Sequence, residues 1–212
     1  MVPMDTLDFF FDPICPWAWI ASRWIQGLAD QGMVKVNWRF ISLKILNSTQ
    51  NYALDFPAGY SETHGLGHSL LRIAASAREN GGNDAVERFY TVIGTELHDN
   101  SAREEFINGK SLQDVASLAK LDFDFEAARD DANFDLIIGA ETELALSRTG
   151  REVGTPIITF GPPDGPSLFG PVMSSIPKGQ DSIDLYHAYR TLARREDFYE
   201  LKRSVRKMPS FE

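Results

Sequence analysis

Residues 6–19 read Thr-Leu-Asp-Phe-Phe-Phe-Asp-Pro-Ile-Cys-Pro-Trp-Ala-Trp. The run Thr6–Phe11 is short and almost continuously apolar, the pattern of a central strand buried on both faces. Asp12-Pro13 breaks it. Beyond the break, Trp17, Ile20, Ala21, Trp24, Ile25 and Leu28 recur at i, i+3, i+4, i+7, i+8 and i+11. That spacing predicts one apolar stripe on a helix. Pro16 stands where a first-turn proline is tolerated, and Gly32 is a helix stop. Val34, Val36, Trp38 and Phe40 then alternate with Lys35, Asn37 and Arg39, which predicts a half-exposed strand near a sheet edge. The three elements make a βαβ unit with a right-handed crossover.

Outward from this unit the character changes. Residues 60–150 are helix-rich. His68–Asn80 carries Leu71, Ala74, Ala75 and Arg78 at helical spacing and ends at Gly81-Gly82. Asp84 with Glu87 resembles a capping box for a helix bearing Val86, Phe89, Tyr90 and Ile93. Ser111 with Asp114 caps a third, and Phe125–Ser147 reads as a fourth, kinked near Gly139. Strand character returns at Pro156–Phe160, with a turn over 161–166 and a short return strand at Ser167–Phe169. Asp181–Arg195 is a final amphipathic helix. The expectation is an α/β scaffold, 1–59 and 151–212, interrupted by a helical domain at 60–150.

Composition removes several classes. Lys plus Arg number 21 against 30 Asp plus Glu, a net charge of −9 that disfavours phosphate-backbone binding, so no nucleic-acid partner is expected. No apolar run approaches a membrane span, and the N-terminus has no basic segment followed by an apolar core. A soluble, cytoplasmic protein is the expectation. The chain holds one cysteine, Cys15, which rules out an internal disulfide and a multi-cysteine zinc site. In a reducing compartment that thiol stays free.

Cys15 stands at the strand-to-helix junction. First-turn N–H groups lack intrahelical partners, and the helix dipole is positive there. A thiolate at that position is stabilised, so its pKa is expected below the free value of about 8.5. The competing reading is a buried structural cysteine, since free cysteines are often buried.

The segment Phe11-Asp12-Pro13-Ile14-Cys15-Pro16-Trp17-Ala18-Trp19, followed by Ser22-Arg23-Trp24, resembles the active-site segment of DsbA-like thioredoxin-fold oxidoreductases. It is most similar to the mycothiol-dependent nitroreductase group. The likeness continues through Ser42-Leu43, Ile45-Leu46-Asn47, His98, Val153-Gly154-Thr155-Pro156, Phe169-Gly170-Pro171-Val172, Ile176-Pro177 and Phe198–Arg203. The resemblance implies a thioredoxin core split by a helical domain, with Cys15 as nucleophile. It implies a cis-proline at Pro156, with Thr155 presenting its backbone to an extended thiol substrate. The plainer reading of Thr155-Pro156 is a strand start.

Position 18 departs from the dithiol pattern. Those members carry a resolving cysteine three residues after the first, and here Ala18 stands in its place. The alanine fits a monothiol branch and equally an introduced Cys→Ala change. Cys15 alone can form a mixed disulfide but needs an external thiol to resolve it. The resemblance implies a low-molecular-weight thiol, mycothiol or glutathione, as co-substrate, with no tightly bound cofactor. A small-molecule or protein disulfide, a thiol adduct or an electrophilic nitro compound would be reduced. Kappa-type glutathione transferases and chromene-carboxylate isomerases share the layout with serine at the Cys15 position. A non-catalytic module is the third reading.

Other chemistry is thinner. His64 and His68 stand i, i+4, but Gly65 and Gly67 lie between or beside them and no third ligand joins, so no metal site is expected. A Cys-His hydrolase would need His64 or His98 brought to Cys15 by the fold. Ala21 occupies the place a cysteine phosphatase needs for arginine, and no phosphate-binding glycine loop exists. Phe169–Lys178 precedes a helix, so Gly170, Ser174, Ser175 and Lys178 are candidate contacts for the thiol co-substrate, with a plain turn as the alternative. Asn47 and Tyr60, in the loop after the second strand, are candidate substrate contacts. Lys202, Arg203, Arg206 and Lys207 read as a solvated basic helix face. Apolar helix faces in 60–150 leave room for a homodimer interface.

Overall fold

The computed structural model describes residues 4–205 and 207–211. Strand β1 (Asp5–Phe11), helix α1 (Pro16–Asp30) and strand β2 (Val34–Phe40) form the βαβ unit, with β1 and β2 parallel and in register from Asp5 opposite Val34 to Phe11 opposite Phe40. Strand β3 (Ile157–Phe160) runs antiparallel on the other side of β1, and β4 (Ser167–Phe169) runs antiparallel to β3. The sheet order β2-β1-β3-β4 makes β1 central and puts β2 at an edge, as the two hydrophobic patterns required. Phe9, Phe10 and Phe11 are fully buried. The one charge in the middle of β1, Asp8, accepts from Asn37 at 2.9 Å and Arg148 at 3.0 Å, so the buried carboxylate is paired.

Between β2 and β3 lie α2 (Leu43–Leu46), α3 (Tyr52–Asp55), α4 (Tyr60–Gly94), a π turn (Thr95–Asp99), α5 (Arg103–Ile107), α6 (Gln113–Ala119), α7 (Phe125–Asp130), a 3-10 turn (Ala132–Phe134) and α8 (Asp135–Thr149). Helix α9 (Gly179–Ala193) follows β4. The helices meet the sheet through aromatics, with Tyr90 of α4 stacked on Phe11 at 3.9 Å between ring centroids.

The outer edge of β2 is closed by side chains from these helices. Trp38 N–H donates to Asn83 Oδ1 at 2.8 Å, and Asn83 Nδ2–H donates to the Val36 carbonyl at 2.9 Å. Phe40 N–H donates to Glu141 at 2.8 Å. An unpaired edge invites another strand, and these bonds cap it. Asn83→Ala is expected to cost about 1–2 kcal/mol, because it orphans a backbone donor and an acceptor together. Urea midpoints measure it, and an unchanged midpoint would show that water replaces the amide without loss.

The helix stop expected at Gly81-Gly82 is present: both residues leave helical geometry, and Tyr60–Gly94 is two helices that meet at this kink. Two sequence expectations are corrected. The long helix over Phe125–Ser147 starts as expected, with Asp124 capping it through the Ala127 N–H, but breaks at Asp131 rather than Gly139, because Asp131 caps a new start by accepting from the Asn133 N–H. Lys202, Arg203 and Lys207 do not lie on a helix, and Arg206 is outside the described residues. Leu201 and Val205 beside them are 83% and 89% exposed, so no apolar face is buried to sustain a helix there.

Candidate functional site

Cys15 is the N-cap of α1, with φ −82° and ψ 114°. Its N–H donates to the Asp12 carbonyl at 3.0 Å, and its carbonyl accepts the Trp19 N–H at 3.0 Å, which opens the helix. The thiol donates to the Thr155 carbonyl across 3.5 Å. Thr155 is itself buried, its hydroxyl donating to the Phe10 carbonyl at 3.1 Å. The Thr155–Pro156 peptide is cis. Gly170 N–H donates to the Pro156 carbonyl at 2.8 Å, and the Gly170 carbonyl accepts from Tyr189 at 3.0 Å. The fold thus brings Cys15, Thr155-Pro156 and Gly170 together from three separate stretches.

The expected low thiol pKa is not what the geometry gives. Burial pushes the Cys15 thiol up to about 12. The Ala18 and Trp17 backbone N–H groups and the Arg103 charge pull it down, while the Asp12 carboxyl pushes it further up. Cys15 is only 6% exposed, and at that depth desolvation outweighs the helix N-terminus. The resting thiol is neutral. Ala18 is fully buried behind it, Pro16 and Trp17 are half-buried, and Trp17 packs against the core.

Asp12 entered the sequence reading only as a strand breaker. It is fully buried and accepts from Ile14 N–H at 3.1 Å and Leu43 N–H at 2.8 Å, tying the Cys15 turn to the loop after β2. Burial raises its pKa from 3.8 to about 7 against those two hydrogen bonds. An acidic residue between an apolar strand and a cysteine was the available signal. Its stability consequence has a definite sign. The folded-state pKa lies above the unfolded one, so the folded protein holds the proton between pH 4 and 7. The Asp12 contribution therefore falls as pH rises through that window. Asp12→Asn is expected to gain on the natural chain by roughly 2–4 kcal/mol from pH 4 to pH 8. Denaturation curves that stay parallel across that range would refute it.

The remaining candidates scatter. Asn47 caps α2 and donates to the Leu43 carbonyl at 2.8 Å. Tyr60 begins α4, 41% exposed, in an aromatic group with Phe56 and His64. The Ser174 carbonyl accepts from Ser210 N–H at 2.7 Å, so the segment 207–211 returns to this loop. Ser175 and Lys178 are exposed, Lys178 as the N-cap residue of α9 with no capping bond from its side chain.

The histidines divide. His64 pairs with the Tyr52 hydroxyl at 2.8 Å. His68 joins Ser42 and Asp135, each at 2.9 Å. The Ser42-His68-Asp135 order resembles a hydrolytic triad, but Ser42 is fully buried and caps α2, so its hydroxyl meets no substrate. His98 is buried and donates from Nε2 to the Pro13 carbonyl at 2.9 Å. It makes no hydrogen bond to the thiol among the described residues. Among them, too, no group of three metal-ligating side chains assembles.

Two glycines of α4 press on this site. A Cβ at Gly67 would fall 2.4 Å from Asp12 Oδ1, and one at Gly94 would fall 2.3 Å from the Trp19 ring. The helix backbone and the Cys15 turn meet with no room between them.

A relative, the uncharacterized protein Rv2286c of Mycobacterium tuberculosis, is 31% identical over 202 residues, covering 94% of this chain and 82% of its own. The cytosolic disulfide reductase DsbM of Pseudomonas aeruginosa superposes with a TM-score of 0.56 at 17% identity, over 88% of this chain and 99% of that one. A 2-hydroxychromene-2-carboxylate isomerase superposes with a TM-score of 0.54 at 14% identity, over 89% and 95%. These likenesses show the fold alone, that of the DsbA-like thioredoxin proteins. The family model of the Rv2466c-like mycothiol-dependent nitroreductases matches residues 14–203, a span that runs from the Cys15 turn past α9, and the chain belongs to that family.

Proposed function

We propose that the protein is a thiol-dependent oxidoreductase in which Cys15 works with an external small thiol. The observation that carries this is the placement of the chain's one thiol, at the N-cap of α1 and 3.5 Å from the Thr155 carbonyl, with Ala18 where a resolving cysteine would stand. In the first step Cys15 gives up its proton and the thiolate attacks a disulfide RSSR. A Cys15–S–SR bond forms, the S–S bond breaks, and the proton leaves with RSH. In the second step a thiol R′SH attacks the mixed disulfide, releasing RSSR′ and restoring Cys15–SH. No second protein thiol is needed, and none exists. For a nitro compound, two equivalents of small thiol supply two electrons, giving a nitroso compound, water and the thiol disulfide.

Family membership supports mycothiol as the thiol. Thr155 and Pro156 present the substrate, and the helical segment 60–150 walls the site. A reducing compartment suits the free thiol, and no helix among the described residues is long and apolar enough to cross a membrane.

Mass spectrometry of the protein incubated with mycothiol disulfide tests the reading. One mycothiol adduct on Cys15 is expected, lost on adding reduced mycothiol. An unmodified protein after full exposure would overturn it. The neutral, buried resting thiol favours one second reading. In it the protein activates the co-substrate's own thiol, as an isomerase-like enzyme, and Cys15 serves as scaffold. Turnover retained by Cys15→Ser would select that reading.

A further inference from the structure

The π turn Thr95–Asp99 carries His98 over the Cys15 turn. Single π turns recur at functional sites because they re-aim a side chain. The Trp19 ring stacks on His98 with centroids 5.9 Å apart, and Trp19 Nε1–H donates to Asp99 at 2.9 Å. The His98–Pro13 hydrogen bond fixes the tautomer, because a carbonyl can only accept. The proton is therefore on Nε2, and Nδ1 is a bare acceptor. Burial keeps the ring neutral by lowering its pKa to about 4.

His98 is 4% exposed, and its Nδ1 is buried without a partner. Arg103, at the start of α5, has the same problem with the opposite sign. Its Nε–H is buried without a partner, and its guanidinium forms no ion pair among the described residues. Both side chains line one cleft of about 260 Å³, with Leu97, Ser101, Glu104 and Phe211. The Phe211 ring lies 5.6 Å from His98, tilted over it. Buried polar groups are nearly always satisfied, because an orphan bears its full desolvation penalty. An unmet acceptor and an unmet donor beside one aromatic face describe the group that would fill the cleft.

We propose that this cleft is a subsite for the body of the small-thiol co-substrate, and that it selects a neutral hydroxyl- or amide-bearing thiol conjugate. An O–H or N–H of the ligand donates to His98 Nδ1, one of its oxygens accepts from Arg103 Nε–H, and its apolar face lies on Phe211. A carboxylate would satisfy Arg103 but turn its lone pairs on His98 Nδ1, so an anionic thiol is the poorer fit. Pro13, bonded to His98, is two residues from Cys15, and the Arg103 charge acts on the Cys15 thiol, so the cleft adjoins the Cys15 turn. The assignment of the ligand as a thiol rests on the function proposed above; the donor and acceptor pattern stands apart from it.

The test uses the full chain carrying Cys15→Ser, which can bind but cannot form an adduct. Calorimetric titration with reduced mycothiol is expected to show saturable binding, with glutathione at least tenfold weaker. Arg103→Met is expected to weaken mycothiol binding tenfold or more. Phe211→Ala, at a site remote from the core sheet, is expected to weaken it several-fold and covers the case in which Arg103→Met fails to fold. No mycothiol binding, binding indifferent to both substitutions, or an equal preference for glutathione would overturn the subsite. Binding here with no adduct on the natural protein would instead retire the Cys15 nucleophile and leave the subsite standing.

Discussion

In the free protein Cys15 should react with a neutral alkylating agent on the order of a thousandfold more slowly at pH 7 than an exposed cysteine. The thiolate is the reactive form, and a thiol titrating near 12 holds far less of it than one near 8.5. The rate should keep rising about tenfold per pH unit through pH 10, where an activated thiol would have levelled off. Cys15→Ser should remove the modification and the mixed disulfide entirely while leaving the fold in place, since a hydroxyl replaces a thiol that already donates to the Thr155 carbonyl. A rate profile that reaches a plateau below pH 8 would show that the helix N-terminus, and not burial, governs the thiol. The contrast matters for mechanism. A neutral resting thiol is protected against stray oxidants, and in the exchange proposed above it must give up its proton before it attacks.

The second large effect is on stability. Gly94→Ala should destabilise the protein by about 3–5 kcal/mol. The added methyl would sit 2.3 Å from Trp19 Cζ3 and 2.4 Å from Cε3. The indole cannot yield easily, because it is 1% exposed, bonded to Asp99 and covered by Arg23 at 4.3 Å. Either the π turn shifts or the ring does, and both carry His98 with them. Chemical denaturation followed by tryptophan fluorescence measures the change, and a loss below 1 kcal/mol would mean the helix end has slack that the packing does not suggest.

Much of this was legible in the chain. The apolar run of β1, the stripe of α1 and the alternation of β2 are local patterns, and each was recovered because burial in this fold follows the same periodicities. Cys15, Thr155 and Pro156 were found through their motifs, and the fold does place them side by side. The thiol's pKa departs from the sequence expectation for a physical reason. The helix N-terminus is visible in sequence, but the depth of burial is a tertiary property, set by residues as distant in the chain as Thr155. Arg103 and Phe211 carried no local signal. Arg103 lies close to His98 in the chain but belongs to no motif, and Phe211 reaches the same cleft from the far end of the described residues. The start at Phe125 is the expected one, and the break at Asp131 is not legible because a side-chain cap there overrides a continuous apolar pattern.

The close meeting of α4 with the Cys15 turn also constrains how this chain can change over time. Gly67 is matched to Asp12 and Gly94 to Trp19, each without space for one more carbon. Neither member of a pair can drift alone. A relative with alanine at the position of Gly67 must shorten the residue facing it or move the whole helix outward. A chimera that borrows the helical segment from such a relative would have to borrow the motif with it, so motif and helix are inherited as one unit.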